Sequence, residues 1–192
     1  MKFVLNTAID PHFCALLDEK ECIFDIQIWE NRRLDGKETW AFLEKHKDIT
    51  DTITFLGGVS GPGGFSSLRA TSGILEALSA KLNTKIHHVR SDEWMKIFLE
   101  KENIQAPIVL NSFSQKVFLA EESVLTPYEA PALAEKLKDT PVYGDTLPEK
   151  KQELFTLIQT ENKPSALDLY KALKKSTPSE HFLPSYEYAA VL

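Results

Sequence analysis

Sulfur is scarce in this chain. Its 192 residues include two cysteines and two methionines. Cys14 and Cys22 form no C-x-x-C pair, so a thiolate zinc site is not expected and a reducing compartment is. Long apolar runs are missing as well. None approaches the roughly 20 residues that span a bilayer. The opening residues 1–13 carry one lysine and an apolar stretch broken by Asn6, Asp10 and Pro11, unlike a secretory signal. The expectation is a soluble cytoplasmic protein with no membrane partner. A basic excess is the third absence. With 22 Lys+Arg against 28 Asp+Glu, the net charge is −6, which argues against nucleic-acid binding through a broad basic surface of the chain's own. Hydrophobic residues at 43% and charged residues at 26% exclude a disordered or fibrous chain. The length allows one large domain or two small ones.

What is present is alternation, then helical periodicity. Residues 2–7, 13–18 and 22–30 are short β-rich runs separated by Asp10-Pro11-His12 and Asp18-Glu19-Lys20-Glu21. They predict an antiparallel meander. A helix is predicted over 37–47, carrying Trp40, Phe42 and Leu43. A strand at 52–56, a glycine-rich turn at 57–64 and a proline-free helix at 65–82 follow. Next come a strand at 85–89 and a helix at 92–102. The second half predicts strands at 107–110 and 117–120 around a turn at 112–115, then a helix at 129–138. A short strand at 140–143, helices at 149–159 and 166–174, and an aperiodic tail from 177 complete it. This order predicts an α/β fold with a mixed sheet, in two lobes, 1–105 and a shorter 106–192.

Of the eight glycines in the chain, Gly57, Gly58, Gly61, Gly63 and Gly64 fall together. Glycine permits close backbone approach, and the N–H groups of the following helix point into the turn, so Gly61, Pro62, Gly63, Gly64, Ser66 and Ser67 resemble a phosphate-binding loop. Arg69 could add charge. The lysine of a P-loop and the G-x-G-x-x-G spacing are both missing. The alternative is a plain strand-to-helix link with Ser66 or Ser67 near the cap.

On a helical wheel Leu68, Leu75, Leu78 and Leu82 share one face of the 65–82 helix, and Ala70, Gly73, Ala77 and Ala80 lie nearly opposite. Two apolar faces on one helix imply two partners: the sheet below, and a second helix that small residues let approach closely. That second helix is either the 37–47 helix of this chain or another molecule's.

The run Gly61-Pro62-Gly63-Gly64-Phe65-Ser66-Ser67-Leu68-Arg69 resembles the GPGSFTGLR signature of the TsaB (YeaZ) family, departing at Gly64, Ser66 and Ser67. Other pieces fall in the same order. Phe3-Val4-Leu5-Asn6-Thr7-Ala8 is similar to the family's opening strand. Residues 111–118 are similar to the D-A-R-R-G-E-V-Y hairpin, Val142-Tyr143-Gly144-Asp145 to a V-x-G-D turn, and Pro184-Ser185-Tyr186 to the start of P-x-Y-L-R. The resemblance implies an actin/Hsp70-like (ASKHA) two-lobe fold, each lobe RNase H-like. It implies a non-catalytic subunit that pairs with a TsaD-like carbamoyltransferase, alongside a TsaE-like ATPase, in making threonylcarbamoyladenosine on tRNA, with tRNA contacted only indirectly. The implied partner-binding residues are Trp40, Leu43, Phe65, Arg69, Ala70, Gly73, Ala77 and Ala80, and a homodimer could use the same helices. No cofactor is expected. Asn6 stands where the fold's first phosphate loop has an aspartate, and Asn111 likewise replaces one. Asparagine cannot supply the anionic ligand that magnesium sites prefer.

Other chemistry finds little support in the residues. The five histidines include no H-x-x-x-H pair, and His87 and His88 on a strand point to opposite faces; one of them is expected in the core. A glycoprotease-like activity would need a nucleophile and base around Ser60, Ser66 or Ser67, and no G-x-S-x-G elbow exists. An independent ATPase or kinase of the same fold is the rival from another class. Lys171, Lys174 and Lys175 are read as a solvated helix end. Tyr186 and Tyr188 are read as either packed across the first lobe or exposed.

Overall fold

The computed structural model describes residues 1–30, 35–112, 115–121, 124–144 and 147–185. The predicted meander is present: β1 (Lys2–Asn6), β2 (His12–Leu17) and β3 (Ile23–Trp29) pair antiparallel, with Phe3 opposite Leu16 and Phe13 opposite Ile28. A helical hairpin-like segment, α1 (Asp35–Lys45) and α2 (Lys47–Thr50), leads to β4 (Phe55–Gly61), which joins β1 in parallel. Then α3 (Phe65–Leu82) crosses to β5 (Ile86–Arg90), parallel to β4. The result is a mixed five-stranded sheet in the order β3-β2-β1-β4-β5. Parallel neighbours require crossovers, and the helices supply them.

The helix α3 has the predicted bounds. Leucines recur at helical spacing, and Asn83 ends it in the left-handed conformation, φ 49°, which asparagine adopts at low cost. Its inner face packs Ile74, Leu75 and Leu78 with Phe42 and Leu43 of α1 over Phe3, Leu5, Cys14, Leu16 and Trp29 of the sheet.

The chain continues through α4 (Ser91–Lys101) to a second sheet, the antiparallel meander β6 (Ile108–Asn111), β7 (Lys116–Glu121) and β8 (Val124–Glu129). Over it packs α5 (Ala130–Leu137), around a core that includes Val109, Val117, Leu119, Leu133 and Val142, and α6 (Glu149–Gln152) follows in the chain. The structure differs from the expected elements at two places in this unit. The helix at 149–159 stops at Gln152, because residues 156–158 pair with Val142 instead: Val142 N–H donates to Thr156 O and Ile158 N–H to Val142 O, both at 2.9 Å. The strand at 140–143 is reduced to bridges from Tyr143 to Ile108 and from Val142 to Leu157.

The last helix, α7 (Ala166–Lys175), opens on a capping box. Ser165 accepts from Asp168 N–H at 3.2 Å, and Ser165 N–H donates to the Asp168 carboxylate at 3.0 Å. It packs on β1, β2, β4 and β5, so it belongs with the first sheet. The chain therefore divides into Met1–Trp94 with the described residues from Ser165 on, and Met95–Pro164, not at residue 105. Sequence order misled because α7 returns: Gly57 of β4 faces Leu173 of α7, while the next residue, Gly58, faces Leu75 of α3. Adjacent strand residues point to opposite faces, so the two helices cover opposite sides of one sheet. Among the described residues no helix is long and apolar enough to cross a membrane.

Candidate functional site

Asn6 ends β1 and organises the loop behind it. Its Nδ2 donates to Ile9 O and to Pro11 O, both at 2.9 Å, and its Oδ1 accepts from Ala8 N–H at 3.1 Å. Asparagine has both donor and acceptor; aspartate has no donor for the two carbonyls. Position 6 thus carries an amide because the loop needs one, and that amide is fully engaged. Thr7 Oγ1 donates to Ser67 O at 2.8 Å and meets Thr71 Oγ1 at 2.6 Å, fastening the loop to α3.

The glycine-rich segment is not one turn. Gly57 and Gly58 lie inside β4, and a Cβ on either would come within 2.9 Å of a leucine side chain. Gly63 presses on the Asn6 loop: a Cβ there would sit 2.5 Å from Ala8 O. Gly61 has φ +118°, open to glycine alone, and its missing Cβ would lie 2.9 Å from Ser185 O. Ser185 N–H donates to Ser60 O at 2.7 Å, and Ser91 Oγ donates to Pro62 O at 2.9 Å. The glycines admit other parts of the same chain. Gly64 is the residue at the α3 cap and supplies no side-chain bond. Ser66 and Ser67 lie in the first turn of α3, near its cap as expected, the first exposed and the second buried, with no side-chain cap bond.

Neither Ser60 nor Ser67 has the surroundings of a nucleophile. Ser60 Oγ donates to Val89 O at 3.0 Å. Ser67 leans on Asp35, the first residue of α1. Asp35 is 2% exposed and accepts from Trp29 Nε1 at 2.8 Å, with His12 Nδ1 at 2.5 Å. Burial works to raise this carboxyl's pKa, but bonds from His12, Ser67 and Trp29 outweigh it and hold the acid below its ordinary value. The other ring nitrogen of His12 faces Asp10 at 3.3 Å rather than a serine. Asp35 is therefore a buried clamp joining β2, β3, α1 and α3, not part of a triad.

The outward face of α3 is open. Arg69, Gly73, Ala77 and Ala80 are exposed and Ala70 is half-buried. A Cβ on Gly73 would meet nothing within 4 Å. Trp40 of α1 is 50% exposed and Phe65 58%, with the Arg69 guanidinium 5.5 Å from the Phe65 ring centre. Although α1 packs beside α3, it does not cover the small residues. Leu43 departs from the expected set: at 4% exposure it lies in the core with Phe42.

No family model matches the sequence, and no curated protein matches it. Solved structures do. YeaZ from Pseudomonas aeruginosa superposes with a TM-score of 0.68 at 15% identity, over 97% of this chain and 100% of that one. An uncharacterized protein with similarity to peptidase YEAZ, from Pseudomonas aeruginosa, gives 0.63 at 14% identity, over 97% and 99%. The fold is that of YeaZ.

On this YeaZ fold the remaining candidates fall into place. Asn111 ends β6, and its Oδ1 accepts from the Lys151 ammonium at 2.8 Å. Sequence reasoning missed Lys151, which is 7% exposed, because nothing in the run Glu149-Lys150-Lys151-Gln152 sets it apart from a surface lysine. Both His87 and His88 are half-buried rather than core. His87 stacks on Phe55 with ring centres 4.3 Å apart, and burial lowers its pKa despite bonds to Leu173 and Ser176. Lys174 is not merely solvated, since it pairs with Glu21 at 2.7 Å. Among the described residues no group of three or more His, Cys, Asp and Glu could hold a metal. Tyr186, Tyr188, Phe113, Ser114 and Asp145 lie outside the described residues.

Proposed function

We propose that this chain is a non-catalytic TsaB-like subunit that binds a TsaD-like carbamoyltransferase and supports its threonylcarbamoyladenosine (adenosine-37) modification of tRNA. In this reading the two units are the lobes of an ASKHA fold, each RNase H-like. The observation that carries it is the uncovered small-residue face of α3, flanked by exposed Trp40 and Phe65, on a fold shared with YeaZ. Small residues let a partner helix approach closely, and exposed aromatics beside them supply anchoring area. The docking set is Trp40, Phe65, Arg69, Ala70, Gly73, Ala77 and Ala80; Leu43 acts from below by fixing α1. The subunit works by favouring one conformation of its partner through differential contact.

Two features speak against the enzymatic alternatives. The Asn6 amide is occupied by its own loop, which leaves an ATPase or kinase without a carboxylate at that position. Ser60 and Ser67 bond to Val89 O and to the Asp35 clamp, which leaves neither free to serve as a protease nucleophile. The test is size-exclusion chromatography with light scattering on this chain mixed with the TsaD homologue of its source. A heterodimer is expected, and Ala77→Arg should abolish it while leaving the melting curve of the isolated chain unchanged. A homodimer or monomer that ignores the partner overturns the reading. So does an Ala77→Arg chain that still pairs at wild-type stoichiometry.

A further inference from the structure

The ammonium of Lys151 is held as an ion would be. It sits 2.8 Å from Asn111 Oδ1, 3.0 Å from Ser112 O and 2.7 Å from Lys116 O. An ammonium has three N–H donors, and here three oxygens take one each. None of the three is a carboxylate. The residue is only 7% exposed. Among the described residues no carboxylate bonds it, and burying a charge without an opposite one is costly, so an ordinary surface lysine would have swung outward, as its long stem permits. Desolvation lowers its pKa, with Glu129 opposing from a distance.

The oxygens belong to one turn. Asn111 ends β6, Lys116 starts β7, and Ser112 N–H donates to Lys116 O at 3.2 Å, closing the hairpin. The lysine comes from elsewhere, the first turn of α6, where its own N–H donates to Pro148 O at 2.8 Å. Backbone carbonyls and an amide oxygen converging on one point, with no carboxylate among them, suit a weakly hydrated monovalent cation better than a divalent one, whose sites add carboxylates to such oxygens.

We propose that the β6–β7 hairpin forms a cage for a monovalent cation and that Lys151 is its tethered occupant, a covalently attached ammonium in the place of a free potassium or ammonium ion. The lysine makes the cage independent of the salt around it and ties α6 to the hairpin. This inference stands apart from the docking surface on α3 and does not depend on it.

Two experiments on the full chain decide it. In the first, Lys151→Ala removes the tethered ion and leaves the oxygens. Its melting temperature, measured at equal ionic strength in lithium, sodium, potassium and ammonium chloride, should fall well below wild type in lithium and recover most of the loss in potassium or ammonium. Wild type should melt alike in all four. A variant with the same melting temperature in every salt overturns the proposal. In the second, Lys151 in the unmodified protein should give a slowly exchanging NH3+ resonance at neutral pH that is missing from Lys151→Met. An ammonium that exchanges as fast as the surface lysines overturns it even if neither variant folds.

Discussion

Asn6 shows how one atom type decides a position. Two carbonyls, of Ile9 and Pro11, rely on its Nδ2. Asn6→Asp replaces that donor with an oxygen facing two oxygens at a residue that is 0% exposed. Leaving buried acceptors without donors costs about 1–3 kcal/mol each, so the substitution should destabilise the chain by at least ~2 kcal/mol in urea unfolding. An unchanged midpoint would sink this account of the loop. The sequence showed an asparagine at this position but not the reason for it, because the reason is the path of the 7–11 loop. Asp35 makes the matching case for charge. Its carboxyl is held below the ordinary value of 3.8. A depressed acid contributes stability above that value and loses it as pH falls through the lower folded value. The stability gap between wild type and Asp35→Asn should therefore be widest at neutral pH and shrink on acidification below about 4. A gap that stays constant from neutral pH to strongly acid solution would show that the carboxylate's charge is not what the clamp uses. Nothing in the sequence linked Asp35 to His12 and Trp29, which reach it across two strands.

Helices were more legible than strands, for a reason visible in α3. Eighteen residues without proline, leucines at helical spacing and an asparagine at the end fix both its extent and its inner face. The strand β8 was missed since its burial alternates only weakly and it contains Pro127; an edge strand of this kind carries no clear period. The glycines of β4 misled in another way. They read as part of a turn, yet Gly57 and Gly58 lie in the strand and are small so that α7 and α3 can lie on its two faces. Substitutions on α1 and α3 should separate the inner face from the outer. Phe42→Ala empties a core site that is 3% exposed and should cost about 3–5 kcal/mol. Gly73→Ala adds a methyl that meets nothing and should raise stability by up to about 1 kcal/mol through helix propensity. If Gly73→Ala is instead destabilising by chemical denaturation, the outer face is not open in solution.

At the scale of the whole chain, the element that governs organisation is α7. Its place could not be read from order, because helices near a terminus pack wherever an apolar face remains, and the sequence offered two sheets. The structure assigns it to the first. Leu169, Tyr170 and Leu173 are buried beside β1, β2, β4 and β5, and Tyr170 and Lys174 both reach Glu21 in the β2–β3 turn. The segment after it continues along the same unit: Ser179 bridges to Ile86, Phe182 N–H donates to Glu76 of α3 at 2.7 Å, and Phe182 itself enters the core at 3% exposure. Ending the chain after Pro164 would strip one face of the sheet, leave Gly57 without its leucine and remove Phe182 from beneath α3. Burying a leucine or phenylalanine side chain is worth about 1.5–3 kcal/mol, so four such side chains contribute about 6–12 kcal/mol, comparable with the roughly 5–15 kcal/mol by which a domain is stable. The truncated chain should lose the cooperative melting of the first sheet, with near-ultraviolet circular dichroism from Trp29 and Trp94 collapsing. A division at residue 105 makes the opposite forecast, in which residues 1–105 fold alone and keep that signal. Comparing the spectra of the two truncations with that of the full chain decides between a boundary crossed once and a first unit that is completed only when the chain returns to it.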